Sequence, residues 1–411
     1  LTPVERTTIL IIFAVGVMAP LLAQLTPRLR LPVIVLEIAL GILVGPQVLH
    51  WGEVGPVIQS LGRFGLAFLF FLAGFEINFN AIRGRPLQLA VVGWLLSLGL
   101  ALLLGRLLMM TGFVLSDLVT SVALTTTALG VLIPILKDEG EEKTRFGAFA
   151  IATATMGEFG PIVMISLLLT TKEGGGYEAL SFMACFILIV VVAAFLAARL
   201  RPPALIEFLR KKMHSSSALP LRLSILILAI LVMLTREFGL ESILGAVAAG
   251  VLVSLAAEGE AREVLLQKFE GIGYGFLIPI FFIASGMRYD LNALVSSATS
   301  LLRVPIFLLL FLIVRGVPML LYRKDLPRKD LLPMALFSST ALPLVMAITQ
   351  IGVQTGRMRP ENAAALVGAG MISVFLFPAL SLWLRQRASF PTESEGKTKE
   401  GIGKFVPRDS N

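Results

Sequence analysis

Thr125-Thr-Thr-Ala-Leu129 and Ser338-Ser-Thr-Ala-Leu342 are one short phrase met twice, 213 positions apart (338 − 125). Each sets three consecutive hydroxyl residues inside an apolar run and follows them with Gly130 or Pro343. Gly and Pro weaken the helical ladder, and hydroxyls can bind the backbone groups so freed. One triplet alone reads as ordinary packing, since Ser and Thr are common between membrane helices. Matched triplets favour a pair of broken helices. Two more blocks repeat in the same order. Leu36-Glu-Ile-Ala-Leu-Gly41 resembles Leu240-Glu-Ser-Ile-Leu-Gly245, and Phe70-Phe-Leu-Ala with Gly74-Phe-Glu-Ile-Asn resembles Phe281-Phe-Ile-Ala with Gly286-Met-Arg-Tyr-Asp. Near-constant spacing makes the chain a duplication.

The copies lie in a bilayer. Of 411 residues, 56% are hydrophobic and 15% charged, and the mean hydropathy is +0.87. A soluble chain carries about 25% charged residues. Apolar runs predict thirteen spans, at 7–25, 33–49, 61–80, 87–111, 115–136, 146–170, 179–199, 221–238, 242–257, 271–287, 302–322, 331–352 and 362–384, most of them near the ~20 residues a helix needs to cross. The fold class is an all-α membrane protein of about thirteen transmembrane helices. A transmembrane domain over 1–387 divides into repeat one (7–170), a connector helix (179–199) and repeat two (221–384). Residues 388–411 form a polar cytoplasmic tail, expected to be disordered.

Alternate loops carry the Lys and Arg excess, at 28–30, 83–85, 137–145, 199–222, 262–268, 323–329 and 385–387. That alternation puts the C-terminus in the cytoplasm and the N-terminus outside. The net charge of +8 is thus a topology signal and not a nucleic-acid one. The lone Cys185 excludes an internal disulfide, and His50 and His214 are too few for a histidine metal cluster. No nucleophile–base set appears, so the chain is not expected to be an enzyme, and no cofactor or nucleotide-binding domain is expected.

An odd number of spans separates the copies, which makes the repeat inverted. Inverted repeats typify secondary transporters, whose site lies at the midplane where helices break. The sixth span supplies a carboxylate there, Glu158 in Thr155-Met-Gly-Glu-Phe-Gly-Pro161. A charge at mid-bilayer costs about 2.5–3.5 kcal/mol on insertion scales. The plainer alternative is a buried Glu bonded to Thr or backbone. Arg315, in Leu312-Ile-Val-Arg-Gly316, also lies within a span and calls for a partner, with Glu158 the expected one. Alternatively it snorkels from a span end, as Arg106 is expected to do. Glu37, Glu76, Arg236, Glu237, Arg288 and Asp290 fall near span ends and suit structural or vestibule roles. Asn78, Asn80 and Asn292 suit helix-end hydrogen bonds. The run Lys137-Asp-Glu-Gly-Glu-Glu-Lys143 reads as a solvated loop, with pH sensing the lesser alternative.

Leu36-Glu-x-x-Leu-Gly-Ile-Leu-Val-Gly-Pro46, Phe71-Leu-Ala-Gly-Phe-Glu76, Thr125–Thr127 and Pro279-Ile-Phe-Phe-Ile-Ala-Ser-Gly286 resemble the second subfamily of monovalent cation/proton antiporters, with its Kef-type and Na⁺/H⁺ exchangers. The resemblance covers spans 2 to 13. It implies a homodimer in which a six-helix core domain moves against a dimerisation domain, with two discontinuous helices crossing at the ion site. It makes Glu158 the ion-carrying carboxylate, puts Gly157 where the family has a first acid or amide, and makes Arg315 the family's Lys or Arg. An Arg-Gly-Glu-like segment of the family is replaced by Ser338-Ser-Thr-Ala.

The expected function is alternating-access exchange of K⁺ or Na⁺ for protons in a bacterial inner membrane, surrounded by lipid. Proton and cation would bind Glu158, with Thr125, Thr126, Thr127, Ser338, Ser339 and Thr340 around them. One carboxylate suggests electroneutral one-for-one exchange. The rivals are a solute–cation symporter or gated efflux channel on the same fold, and a membrane sensor that transports nothing.

Overall fold

Where no water reaches the backbone, its N–H and C=O groups must pair within the chain, so the apolar runs fold as helices. The computed structural model describes residues 3–25, 32–77, 82–170, 176–199, 218–257 and 259–389, and no strand occurs among them. The first half comprises α1 (Pro3–Leu25), α2 (Val33–Val44), α3 (Pro56–Glu76), α4 (Arg85–Met110), α5 (Asp117–Leu124), α6 (Leu129–Asp138) and α7 (Arg145–Thr170). α8 (Gly176–Arg199) connects it to α9 (Leu219–Glu237), α10 (Ser242–Ala256), α11 (Glu260–Ile272) and α12 (Ile278–Met287). The chain closes with α13 (Leu291–Val295), α14 (Ala298–Gly316), α15 (Arg328–Ser338), α16 (Pro343–Gln354) and α17 (Pro360–Ser389). A π-helical turn, Gly273–Leu277, joins α11 to α12, and a 3-10 segment, Val317–Lys324, continues α14.

Each of the thirteen windows falls on a helix or a broken helix. By length and composition, however, nine described spans can cross a membrane, or ten if α15 and α16, bent by 40°, count as one. The other three windows fall on the short helices Val33–Val44 and Ser242–Ala256 and on α8, whose 24 residues are themselves enough to cross. A 12-residue helix rises only about 18 Å against a hydrocarbon core of about 30 Å. The expected tail begins later than 388, because α17 runs to Ser389. Its remainder, 390–411, lies outside the described residues, as do Asn78, Asn80, His214, Arg28 and Arg30.

The helices gather into two bundles. α1, α2, α3, α9, α10 and α12 pack chiefly on one another, as do α4 to α7 with α14 to α17. In the first bundle a close glycine crossing occurs twice. Gly41 of α2 abuts the Ile283 carbonyl while Gly286 of α12 abuts the Ile38 carbonyl. Equivalently, Gly74 of α3 abuts the Val247 carbonyl and Gly250 of α10 the Phe71 carbonyl. A Cβ at any of the four would collide with backbone. The same pair of helices in each repeat therefore crosses closely, although Gly245, which the repeat aligns with Gly41, packs on the Leu231 carbonyl of α9 and leaves the crossing to Gly250.

Candidate functional site

The two triplets end half-helices. α5 stops at Leu124 and α6 starts at Leu129, while α15 stops at Ser338 and α16 starts at Pro343. The breaks meet in the second bundle, where the Ala128 amide donates to the Thr340 carbonyl at 2.8 Å and the Thr127 amide to the Gly157 carbonyl of α7 at 2.9 Å. The Thr127 hydroxyl donates to the Ser338 carbonyl. Ser373 of α17 closes the second break, donating to the Ala341 carbonyl and accepting from the Ala341 amide.

The other five hydroxyls turn back on their own half-helices. Thr125 and Thr126 donate to the Val122 and Ala123 carbonyls, Ser338 and Ser339 to Ala335, and Thr340 to Leu336. Ser338 also reaches the Arg315 carbonyl. All six are buried. The Val122, Ala123, Ala335 and Leu336 carbonyls lie in the last turns of their half-helices and also accept backbone amides, so the hydroxyls add second bonds at the helix ends.

Glu158 sits beside this crossing, 3% exposed. The backbone amide of Leu129, at the N-terminus of α6, hydrogen-bonds its carboxylate, where a helix start favours negative charge. Its Oε2 is buried without a hydrogen-bond partner among the described residues. Glu76 and Tyr274 lie within electrostatic reach. Tyr274 belongs to the π turn, and its hydroxyl is 3.8 Å from where a Cβ on Gly130 would stand. Single π turns recur at functional sites. Glu76 ends α3 with a buried Oε2 that also lacks a hydrogen bond among the described residues, and Lys137, Glu142, Arg262 and Glu270 surround it electrostatically.

Arg315 does not pair with Glu158, which corrects the sequence expectation. It is fully buried, so it does not snorkel either. Its Nε donates to Thr127 Oγ1 at 2.9 Å and to the Ser338 carbonyl at 3.4 Å, its Nη1 to Ser97 Oγ at 3.2 Å, and its Nη2 to the Thr153 carbonyl at 3.1 Å. Gly157 explains the arrangement. A Cβ there would lie 2.6 Å from Arg315 Nη2 and equally close to Thr127, so the guanidinium fills the space of the missing side chain. Thr153 Oγ1 in turn meets the Tyr322 hydroxyl at 2.7 Å.

Sequence reasoning missed Ser97, Thr153, Tyr274 and Tyr322, and it gave Glu76 only a structural or vestibule role. Ser97 was findable as the single polar residue between Leu89 and Gly105. Tyr274 lies among Gly271, Gly273 and Gly275, a glycine density unusual for a span interior. Glu37 is buried in α2, within the other bundle. Arg106 is exposed and 3.4 Å from Asp117. Asp290 caps α13, and the Asn292 backbone N–H, not its side chain, donates to Gln47 Oε1.

The sequence profile of the transmembrane sodium/hydrogen exchangers matches residues 12–382, and the chain belongs to that family. It is 26% identical over 417 residues to a putative Na⁺/H⁺ antiporter, YjbQ, of Bacillus subtilis, covering 97% of this chain and 66% of that one. With the Na⁺/H⁺-K⁺ antiporter GerN of Bacillus cereus it shares 24% identity, over 88% and 92% of the two chains. Cation/H⁺ antiporter 18 of Arabidopsis thaliana is longer, and the match spans 36% of it. The chain thus spans two thirds or less of several relatives. The structure of the sodium proton antiporter MjNhaP1 from Methanocaldococcus jannaschii superposes with a TM-score of 0.67 over 93% of this chain and 98% of that one, at 15% identity. It shares the fold.

Proposed function

We propose that this chain exchanges a monovalent cation, K⁺ or Na⁺, for a proton by alternating access, with Glu158 as the group that carries either. The observation that carries the reading is the buried Glu158 Oε2, which has no hydrogen-bond partner among the described residues and lies beside the crossing of two broken helices. A carboxylate takes a proton or a hard cation, and one site that holds only one of them at a time is an exchanger. Oxygens of Thr125–Thr127 and Ser338–Thr340 complete the cation's shell, by carbonyls and by hydroxyl lone pairs. Arg315 supplies a fixed positive charge and not a competing partner. Glu76 and Tyr274 line the approach to Glu158.

With one carrying carboxylate, exchange is one for one. The protein works as a homodimer in the inner membrane, N-terminus outside, the second bundle moving against the first. Residues 7–170 and 221–384 are its two repeats. Relatives named as Na⁺/H⁺ and Na⁺/H⁺-K⁺ antiporters support this class of substrate.

The test is proteoliposomes loaded with a pH-sensitive dye and pulsed with Na⁺, K⁺ or Li⁺. Wild type moves protons on addition of one or more of these ions, and Glu158→Gln does not. Undiminished proton movement in Glu158→Gln would remove Glu158 from the mechanism. Cation uptake that needs a co-solute and moves no protons would favour a symporter.

A further inference from the structure

Outside the ion site, a cavity with a concentrated charge lies on the flank of the second bundle. There α14 tightens into the 3-10 segment Val317–Lys324. With three residues per turn, side chains at i and i+3 eclipse, so the segment has distinct rows. Met319 and Tyr322 form the inner row, 1% and 0% exposed. Val317, Leu320 and Arg323 form an outer row, and Val317 and Leu320 are 49% and 62% exposed. Against this row, α4 presents Leu89, Leu96 and Leu100. The two elements enclose a groove of about 620 Å³.

The groove is apolar along most of its length and cationic at one end, where Arg85, Arg323 and Lys324 converge. One acid answers them. Asp325 lies 3.3 Å from Arg85 and 3.7 Å from Arg145. Arg323 and Lys324 have no ion pair among the described residues and are exposed. The lengths fit a lipid. Arg85 to Leu100 along α4 is about 22 Å at 1.5 Å per residue. Half of a ~30 Å hydrocarbon core plus one headgroup layer comes to about 20–22 Å. A small phosphate could occupy only the cationic end and would leave the leucine-lined remainder without a partner.

We propose that this groove binds an anionic phospholipid, its phosphate held by Arg323, Lys324 and Arg85 and an acyl chain lying along Leu96, Leu100 and Leu320. Basic pockets between helices recognise anionic headgroups in this way. The bound lipid packs on the outer row of a segment whose inner row supports the interior, through Tyr322 to Thr153 and through the Thr153 carbonyl to Arg315. It is therefore placed to brace the moving bundle from its lipid side.

Native mass spectrometry of the full chain in detergent tests this, titrating dioleoyl phosphatidylglycerol against dioleoyl phosphatidylcholine. Wild type retains phosphatidylglycerol preferentially, and glycerol phosphate does not displace it. Arg323→Gln with Lys324→Gln weakens retention roughly thirtyfold, which is about 1 kcal/mol per basic residue at 1.4 kcal/mol per decade. Leu320→Trp, which fills the groove with all charges intact, also expels the lipid. Arg222→Gln, on the other bundle, has no effect. Three results each overturn the proposal: retention unchanged in both groove variants, an equal loss in Arg222→Gln, or displacement by glycerol phosphate, which would make it a headgroup-only anion site.

Discussion

A guanidinium buried in a membrane bundle ordinarily calls for a carboxylate, yet Arg315 spreads its N–H groups over two hydroxyls and two carbonyls. Thr127 is central to that set, accepting from Arg315 Nε while donating to the Ser338 carbonyl. Thr127→Val keeps the shape and deletes both bonds. Each buried group left unsatisfied costs about 1–3 kcal/mol, so the melting temperature of the purified protein should fall clearly. An unchanged melt would mean that Arg315 is held without Thr127. That Arg315 had to be satisfied was legible in the sequence, because a charge within an apolar run stands out. Its partners were not, since hydroxyls and backbone carbonyls carry no charge signature and one of them, Thr153, comes from α7. The exclusion of a side chain at Gly157 was equally hidden, because it depends on where Arg315 arrives from another helix.

At the level of elements, the ends of α6, α15 and α17 are tied by one residue. Arg385 of α17 donates to Glu141 at 2.7 Å and to Asp330 of α15 at 2.9 Å, with its guanidinium 3.8 Å from the centre of the Phe146 ring. Glu141 follows α6, so the clamp joins one half of each broken helix. Burial alone would raise the Glu141 pKa, but the Thr144 hydroxyl and Arg385 outweigh it and hold the carboxyl below its ordinary range. A carboxyl lowered by folding adds stability above its unfolded pKa, and that stability is lost as pH falls through the folded value. Thermal stability of wild type should therefore drop more than that of Glu141→Gln as pH is lowered from 7 to below 4. Parallel drops would show that Glu141 is not coupled to folding. The helices themselves were legible, because apolar runs bounded by Gly, Pro and charge follow from bilayer thickness. The π turn and the 3-10 segment were not. Both are tightenings or loosenings of a continuous apolar run, and tertiary packing around Tyr274 and Tyr322 selects them.

At the scale of the whole molecule, a cleft of about 510 Å³ separates the bundles between α3 and α9 on one side and α16 on the other, lined by Ala67, Val232 and Gln350 among others. If transport moves one bundle past the other, joining them across this cleft should stop it. Ala67→Cys with Gln350→Cys, in a Cys185→Ser background because Cys185 is free and exposed, should lose exchange after reaction with a short bifunctional maleimide. Either single variant should keep it under the same treatment. Full exchange in the linked pair would exclude relative bundle movement at this cleft. Two bundles could not have been drawn from the apolar runs alone, since those fix which residues are helical but not which faces meet. The sequence repeat went further, since it pairs α2 with α10 and α3 with α12, and the α2–α12 and α3–α10 crossings are both made on glycine, though not at matching positions of α2 and α10.

Neutral oxygens around Arg315 have a consequence for energetics. Its charge is constant and makes no ion pair with Glu158 that would have to break or form, so on the one-carboxylate reading the bundle carries the same net charge with a cation on Glu158 as with a proton. The cation ratio across the membrane is then set by acidity alone. Each unit of pH difference, about 1.4 kcal/mol, sustains roughly a tenfold ratio and no more, whatever the voltage.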